Sequence, residues 1–350
     1  MSDFYQQSSD QQIECLTQLA REALPLWGLS QAAELTLLKY RENAVYRVVD
    51  GGDQYALRIH RFGYHSQAEL QSELDWMQAL NDSGVMTPAI IKTTDGQLVK
   101  NVRVDDVPEA RMVDVLGWVE GKPLGSIEEG ARGDHDTIIA NYRTVGSLMA
   151  KLHSHAQVWD RPAEFKRQMW DVDGLLGETP VWGRFWELPL LTEAQRAQIQ
   201  IARKQAYREL QSLGQDPAYY GLIHCDFLPE NLLRGDKGLH LIDFDDAGFG
   251  WHLFDIATTL FFHVGEDYFD DLFDAFIAGY RAERALDDQH LSHLPLFLAV
   301  RAMVYLGWVY TRSEIEGVNE MAPVLIDAAM ALTRQYLKPC STILITGESR

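Results

Sequence analysis

Cysteine is scarce in this chain of 350 residues: Cys15, Cys225 and Cys340 are the only three, far apart, with no CxxC or Cys/His ligand spacing. That excludes a disulfide framework and argues against a structural zinc site. Positive charge is short as well, with 31 Lys and Arg against 51 Asp and Glu and a net charge of −20. Such a field repels phosphate backbones, so no nucleic-acid partner is expected. It suits a cationic small substrate, or serves solubility by self-repulsion alone. Residues 1–16 are polar and acidic and lack a signal-peptide apolar core. The most apolar stretch, Leu294 to Tyr310, is broken by Pro295 and Arg301 and reads as a buried core helix. No membrane partner and a cytoplasmic location are therefore expected. Repeats and low-complexity segments are missing too. What is present, 46% hydrophobic and 23% charged residues, is the balance of a globular chain forming one large domain or two ordinary ones.

Periodicity divides the chain. A first helix is expected from about Gln11 to Leu24, stopped by Pro25. The β-branched and aromatic runs Ala44–Val49 and Tyr55–Ile59, separated by Asp-Gly-Gly-Asp, read as a hairpin. A helix from an N-cap at Ser66 to Leu80 follows, with Leu70, Leu74 and Met77 on one face. Strand-like runs come next at 89–93, 98–104 and 111–119. The first part thus reads as an antiparallel sheet carrying one helix. From Gly121 the character turns helical: Ile138, Tyr142, Val145, Met149 and Leu152 form one stripe, and Thr192 with Gln195 opens a second long helix ending before Gly214. Trp159, Trp170, Trp182 and Trp186 crowd between them, either packing this part or lining a substrate cleft.

The informative stretch is Ile223 to Leu233, followed by Leu239 to Asp246. Each half starts as an apolar strand and ends in acidic or amide side chains, with a turn at 234–238 between them. That fold-back places Asp226, Asn231 and Asp243 at one end of a hairpin. Two carboxylates and an amide oxygen are hard ligands that suit Mg²⁺. The alternative is a loop whose Asp and Asn cap backbone groups.

His224-x-Asp226 with Asn231, then Ile242-Asp243-Phe244, resembles the catalytic and metal loops of protein-kinase-like phosphotransferases, and more closely those of the aminoglycoside phosphotransferase and choline kinase family. Upstream, Glu42-Asn43 and the following strand resemble that family's abbreviated nucleotide loop, Ala56 to Arg61 its phosphate-binding strand, and Ser72-Glu73-Leu74 the helix with the paired glutamate. Downstream, Phe254-Asp255 resembles the helix start that anchors the catalytic loop. The resemblance spans residues 40 to 280. It implies an α+β, protein-kinase-like two-lobed fold. A small antiparallel-sheet, nucleotide-binding lobe with one key helix would occupy 1–117, a hinge 118–121, and a larger mainly helical catalytic and substrate lobe 122–338. A frayed tail is expected at 339–350.

The same resemblance implies transfer of the γ-phosphate of ATP, or GTP, with Mg²⁺, to a hydroxyl of a small molecule. Asp226 would accept or orient the hydroxyl proton, and Asn231 and Asp243 would hold the metal. Asn43, Arg58 and Glu73 would serve the phosphates, and Trp118, Val119 and Glu120 the purine edge. His224 is a structural member of the loop, Asp255 a hydrogen-bond anchor for its backbone, and Asp245 and Asp246 contacts to metal-bound water or substrate. Arg301, a lone cation in an apolar helix, would bind a substrate carboxylate or pair with a buried Asp.

Three departures stand out: Cys225 where the family has glycine, Arg58 where protein kinases have lysine, and no glycine around Asn43. They keep a catalytically silent nucleotide-binding regulator as an alternative, beside a stress-response type of Ser/Thr protein kinase. The oligomeric state is left open.

Overall fold

The structure is a computed structural model that describes residues 4–40, 43–127, 129–313 and 317–338. Glu42 of the nucleotide loop and the tail at 339–350 lie outside the described residues. The chain groups into two units: Met1–Gly121 with Arg161–Lys166 and His240–Asp245, and Lys122–Asp160 with Arg167–Leu239 and Asp246–Arg350.

The first unit is a six-stranded sheet with helices α1 (Ser9–Ala23) and α2 (Gln67–Asp82). Its strands are β1 (Glu34–Tyr40), β2 (Ala44–Asp50), β3 (Asp53–Ile59), β4 (Ile90–Ile91), β5 (Lys100–Val102) and β6 (Arg111–Gly117). The order is β1-β2-β3-β6-β4, with β5 also on β6, and every pairing is antiparallel. The β2–β3 hairpin turns through Gly51 and Gly52, both at positive φ (60° and 98°), a conformation that glycine adopts without steric cost. Both helices open on a capping box, Ser8 with Gln11 and Ser66 with Glu69, which satisfies two otherwise orphaned N–H groups each. α2 buries Leu70, Leu74, Trp76, Met77 and Leu80, and with them Glu73. Burial of that carboxylate demands a cation, which β3 supplies.

The second unit is mainly helical: α3 (His135–Val158), α4 (Val172–Leu176), α5 (Glu193–Leu213), α6 (His252–Phe261), α7 (Phe269–Glu283), α8 (Asp288–Leu291), α9 (Leu294–Thr311) and α10 (Val318–Tyr336). α5 begins at the expected Thr192–Gln195 capping box. α3 and α7 approach closely at Gly146 and Gly279, where a Cβ would collide with the carbonyl oxygens of Phe276 and Arg143 respectively. A small sheet runs Gln168–Trp170, Gly248–Trp251, Tyr220–Ile223 and leads directly into the loop bearing Asp226 and Asn231. The segment Asp288–Thr311 is apolar and long enough to cross a membrane, but most of it is packed inside this unit. The acidic run Glu266, Asp267, Asp270, Asp271 and Asp274 is exposed, a solvated face.

Candidate active site

The loop after Tyr220–Ile223 is held by Asp255 at the start of α6. Its two oxygens accept the backbone N–H groups of His224 (2.9 Å) and Cys225 (2.6 Å). Asp255 is itself fixed by His153 of α3, whose Nε2 lies 3.1 Å from Oδ2 and whose Nδ1 lies 2.9 Å from the Tyr280 hydroxyl of α7. The close α3–α7 approach thus reaches the loop through one histidine. Burial keeps that imidazole neutral, well below its ordinary pKa, so it can donate to Asp255 and accept from Tyr280.

Cys225 is fully buried and sits at φ 65°, the left-handed backbone for which glycine is the natural choice. The side chain is accommodated without losing that conformation. Asp243 shares it, also at φ 65°. These are the only two non-glycine residues at positive φ among the described residues, and both stand in the motif, where strain is held by the surrounding structure. Burial, then Asp255, pushes the Cys225 thiol well up, against a downward pull from Arg301.

Beyond this anchor the loop presents Asp226, its side chain 21% exposed. The Asn231 amide donates to both the Asp226 backbone oxygen (2.9 Å) and its Oδ2 (2.8 Å). Asn231 therefore spends its nitrogen on Asp226 and keeps its oxygen for another partner. His224 is buried, and its Nδ1 accepts the Asp226 N–H at 3.2 Å, a structural bond within the loop.

Arg301 lies in α9. It has no exposed surface and lies among the rings of Tyr305, Trp182 and Phe254, at 4.1, 4.8 and 5.3 Å from their centroids. The enclosed guanidinium faces Asp226 Oδ1 at 3.8 Å. The neighbouring Trp182 indole donates to Asp246 Oδ1 (3.3 Å), and the Trp170 indole to the Asp246 carbonyl (2.8 Å). Trp170, Trp182 and Trp186 are all buried and pack this unit rather than lining an open cleft.

The first unit carries the other half of the predicted set. Arg58 and Asp114 are cross-strand partners on β3 and β6, joined by a fork: Nε to Oδ1 at 2.8 Å and Nη2 to Oδ2 at 2.7 Å. Nη1 donates to Glu73 Oε1 at 2.8 Å. Three of its five N–H donors are thus spent on buried carboxylates. Against the cost of burial, Arg58 and His60 hold the Asp114 carboxyl at about 2, and Asp114 and Glu73 keep Arg58 protonated. His60 Nε2 lies 2.8 Å from Asp114 Oδ2, and its Nδ1 is 3.9 Å from Asp245 Oδ1. His65 Nε2 is 3.4 Å from the same Asp245 oxygen.

Asp245 is buried, and despite burial His65, His60 and Arg58 hold it well below the usual carboxylate range. This pins the segment bearing Asp243 to the first unit, aided by Phe244 packing edge-on against Trp76. The structure brings Asp226 and Asn231 together in one unit and describes Asp243 with the other. Asn43 Oδ1 accepts the Arg61 N–H at 3.0 Å, leaving its amide nitrogen to donate. Trp118 and Val119 are half-buried, the Trp118 N–H is bonded to the Gln54 carbonyl at 3.2 Å, and Glu120 is exposed.

Sequence reasoning missed Asp114, His60 and His65. A lone acid inside the apolar strand Met112–Leu116 was the available signal for the first, since such an acid needs a cation.

The family model of the phosphotransferase enzyme family matches residues 36–289. The chain belongs to this family. It is a phosphotransferase of the kinase type with the α+β, protein-kinase-like fold. The phosphotransferase is 24% identical to an amicoumacin kinase of Bacillus subtilis over 314 residues, 87% of each chain. It is 30% identical to an uncharacterized protein of Deinococcus radiodurans over 312 residues, 87% of this chain and 85% of that one. Among solved structures, a microcompartment-associated aminopropanol kinase shares 34% identity at a TM-score of 0.81, over 91% of this chain and 97% of that one. An amicoumacin kinase solved with AMP-PNP and Ca²⁺ shares the fold at a TM-score of 0.73 and 20% identity, over 93% and 96% of the two chains.

Proposed function

We propose that this phosphotransferase moves the γ-phosphate of ATP to a hydroxyl of a small molecule with Mg²⁺ present. The observation that carries the reading is Asp226 itself. Its carboxylate is partly exposed, fixed through Oδ2 by Asn231, and set in a loop whose backbone Asp255 holds from behind. A carboxylate so placed accepts the hydroxyl proton as the oxygen attacks phosphorus, and orients that oxygen in line. Arg58 has N–H donors beyond those taken by Asp114 and Glu73, and these serve the nucleotide phosphates. The Asn43 amide nitrogen is a second donor for them.

The donor set fits Mg²⁺. Asn231 Oδ1 and the Asp243 carboxylate are hard oxygens, and Mg²⁺ uses few protein ligands, with waters and phosphates completing its shell. Mg²⁺ held by such oxygens would offset the negative charge that develops on the phosphate during transfer. Similarity to an aminopropanol kinase supports a small amino alcohol as the acceptor class, and the net charge of −20 favours a cationic one. The glycine-like backbone kept at Cys225 supports turnover rather than silent nucleotide binding.

A panel of amino alcohols and other hydroxylated metabolites, read by ADP release with and without Mg²⁺, tests the reading. The expected result is Mg²⁺-dependent ADP release with a particular acceptor and a phosphomonoester product by ³¹P NMR. ATP binding with no acceptor-dependent release across small molecules would contradict it.

A further inference from the structure

Arg301 is an expensive residue to bury. A desolvated guanidinium is tolerated when carboxylates or carbonyls saturate its donors, and replacing such a group by an apolar one of similar size is often neutral or stabilising. Arg301 is far from saturated. Nη2 donates to the Tyr305 hydroxyl at 2.9 Å, while Nε and Nη1 have no hydrogen-bond partner among the described residues. Three ring faces supply the rest of its stabilisation. Among the described residues, the carboxylate within 4 Å of it is that of Asp226, at 3.8 Å from Oδ1.

The two oxygens of Asp226 are therefore treated differently. Oδ2 takes a hydrogen bond from Asn231 at 2.8 Å, and Oδ1 faces the buried cation. The cation cannot swing away, because Trp182, Tyr305 and Phe254 enclose it. Trp182 is in turn tied through its indole N–H to Asp246.

We infer that Arg301 is a positioning residue for the phosphotransfer, holding Asp226 from the buried side so that its carboxylate is presented to the acceptor hydroxyl in one orientation. This rests on the reading of Asp226 as the catalytic carboxylate. It assigns the cost of burying Arg301 to the reaction rather than to the fold. A small misplacement of a reacting group costs on the order of 100-fold in rate, and that sets the scale of the effect.

The test is a cycle of four proteins: wild type, Arg301→Met, Asp226→Asn and the double variant, each measured for kcat, nucleotide KM and Tm. The inference expects Arg301→Met to keep or raise Tm, keep nucleotide KM within about twofold, and lower kcat by about 10–100-fold. It expects little further loss when Arg301→Met is added to Asp226→Asn, since the group being positioned is gone. Arg301→Lys keeps the charge and should recover part of kcat; it also carries the test if Arg301→Met does not fold. A folded Arg301 variant with wild-type kcat overturns the inference, as does an equal loss in both backgrounds. Wild-type kcat in folded Asp226→Asn would instead overturn the reading of Asp226, and the inference with it.

Discussion

Arg58 and Asp114 face each other across β3 and β6 and share two parallel hydrogen bonds of 2.8 and 2.7 Å, while Glu73 takes a third N–H of the same guanidinium. One arginine thus neutralises two buried carboxylates. Arg58→Ala would remove the guanidinium that both carboxylates share, and breaking a buried pair costs roughly 3–5 kcal/mol. Arg58→Lys keeps the charge but loses the fork, and should cost less. Urea denaturation of the two variants checks the order: alanine well below lysine, and lysine below wild type. Near-wild-type stability of Arg58→Ala would show that the arginine is not the keystone of this network.

Buried histidines set the acid side of the stability profile. Burial lowers the pKa of His153 and His252 well below the ordinary value, and pushes His263 and His290 down to about 4. The unfolded chain binds protons at these sites from about pH 6.5 downward, before the folded chain does. Stability is therefore lost as pH falls from about 6.5 toward 4, at about 1.4 kcal/mol per pH unit for each fully buried histidine in that window. Asp114 adds a separate loss between about pH 4 and 2, because its folded value of about 2 lies below the unfolded one. His252 stacks on His153 with centroids 4.3 Å apart, so His252→Phe keeps the stack while removing one titration. Its Tm should fall less steeply than that of wild type between pH 7 and 5. Parallel slopes would refute the assignment.

Cys225 should be chemically silent. It is fully buried, and its thiol is pushed away from the thiolate by burial and Asp255. Peroxide inactivation of wild type and Cys225→Ala should run at the same rate. Protection by the alanine would show that the thiol is reached in the native enzyme.

Local signals were readable along the chain, and long-range ones were not. An N-cap serine marked the start of α2, a capping box that of α5, and the two glycines the β2–β3 turn, because those devices lie within a few residues. β1 escaped notice: its alternation breaks at the bulge between Leu37 and Lys39, and Leu38 is left half exposed. The spacing of Asp226 and Asn231 announced that the two side chains meet in one loop. Nothing in linear order says that position 114 pairs with position 58, or that His60 and His65 turn toward Asp245. Those contacts depend on strand register and on the return of a segment some 180 residues later in the chain. For the same reason Arg301 could be read only as a cation in an apolar helix; its aromatic enclosure and its direction come from packing.

The central claim is that Asp226 carries the phosphotransfer. The most direct measurement is turnover of Asp226→Asn beside its nucleotide affinity, with an acceptor identified by the ADP-release panel. Asparagine keeps the size and loses the proton-accepting charge, so kcat should fall by about 10²–10⁴-fold while nucleotide Kd stays within a few-fold of wild type. A folded Asp226→Asn enzyme that turns over at the wild-type rate would contradict the account.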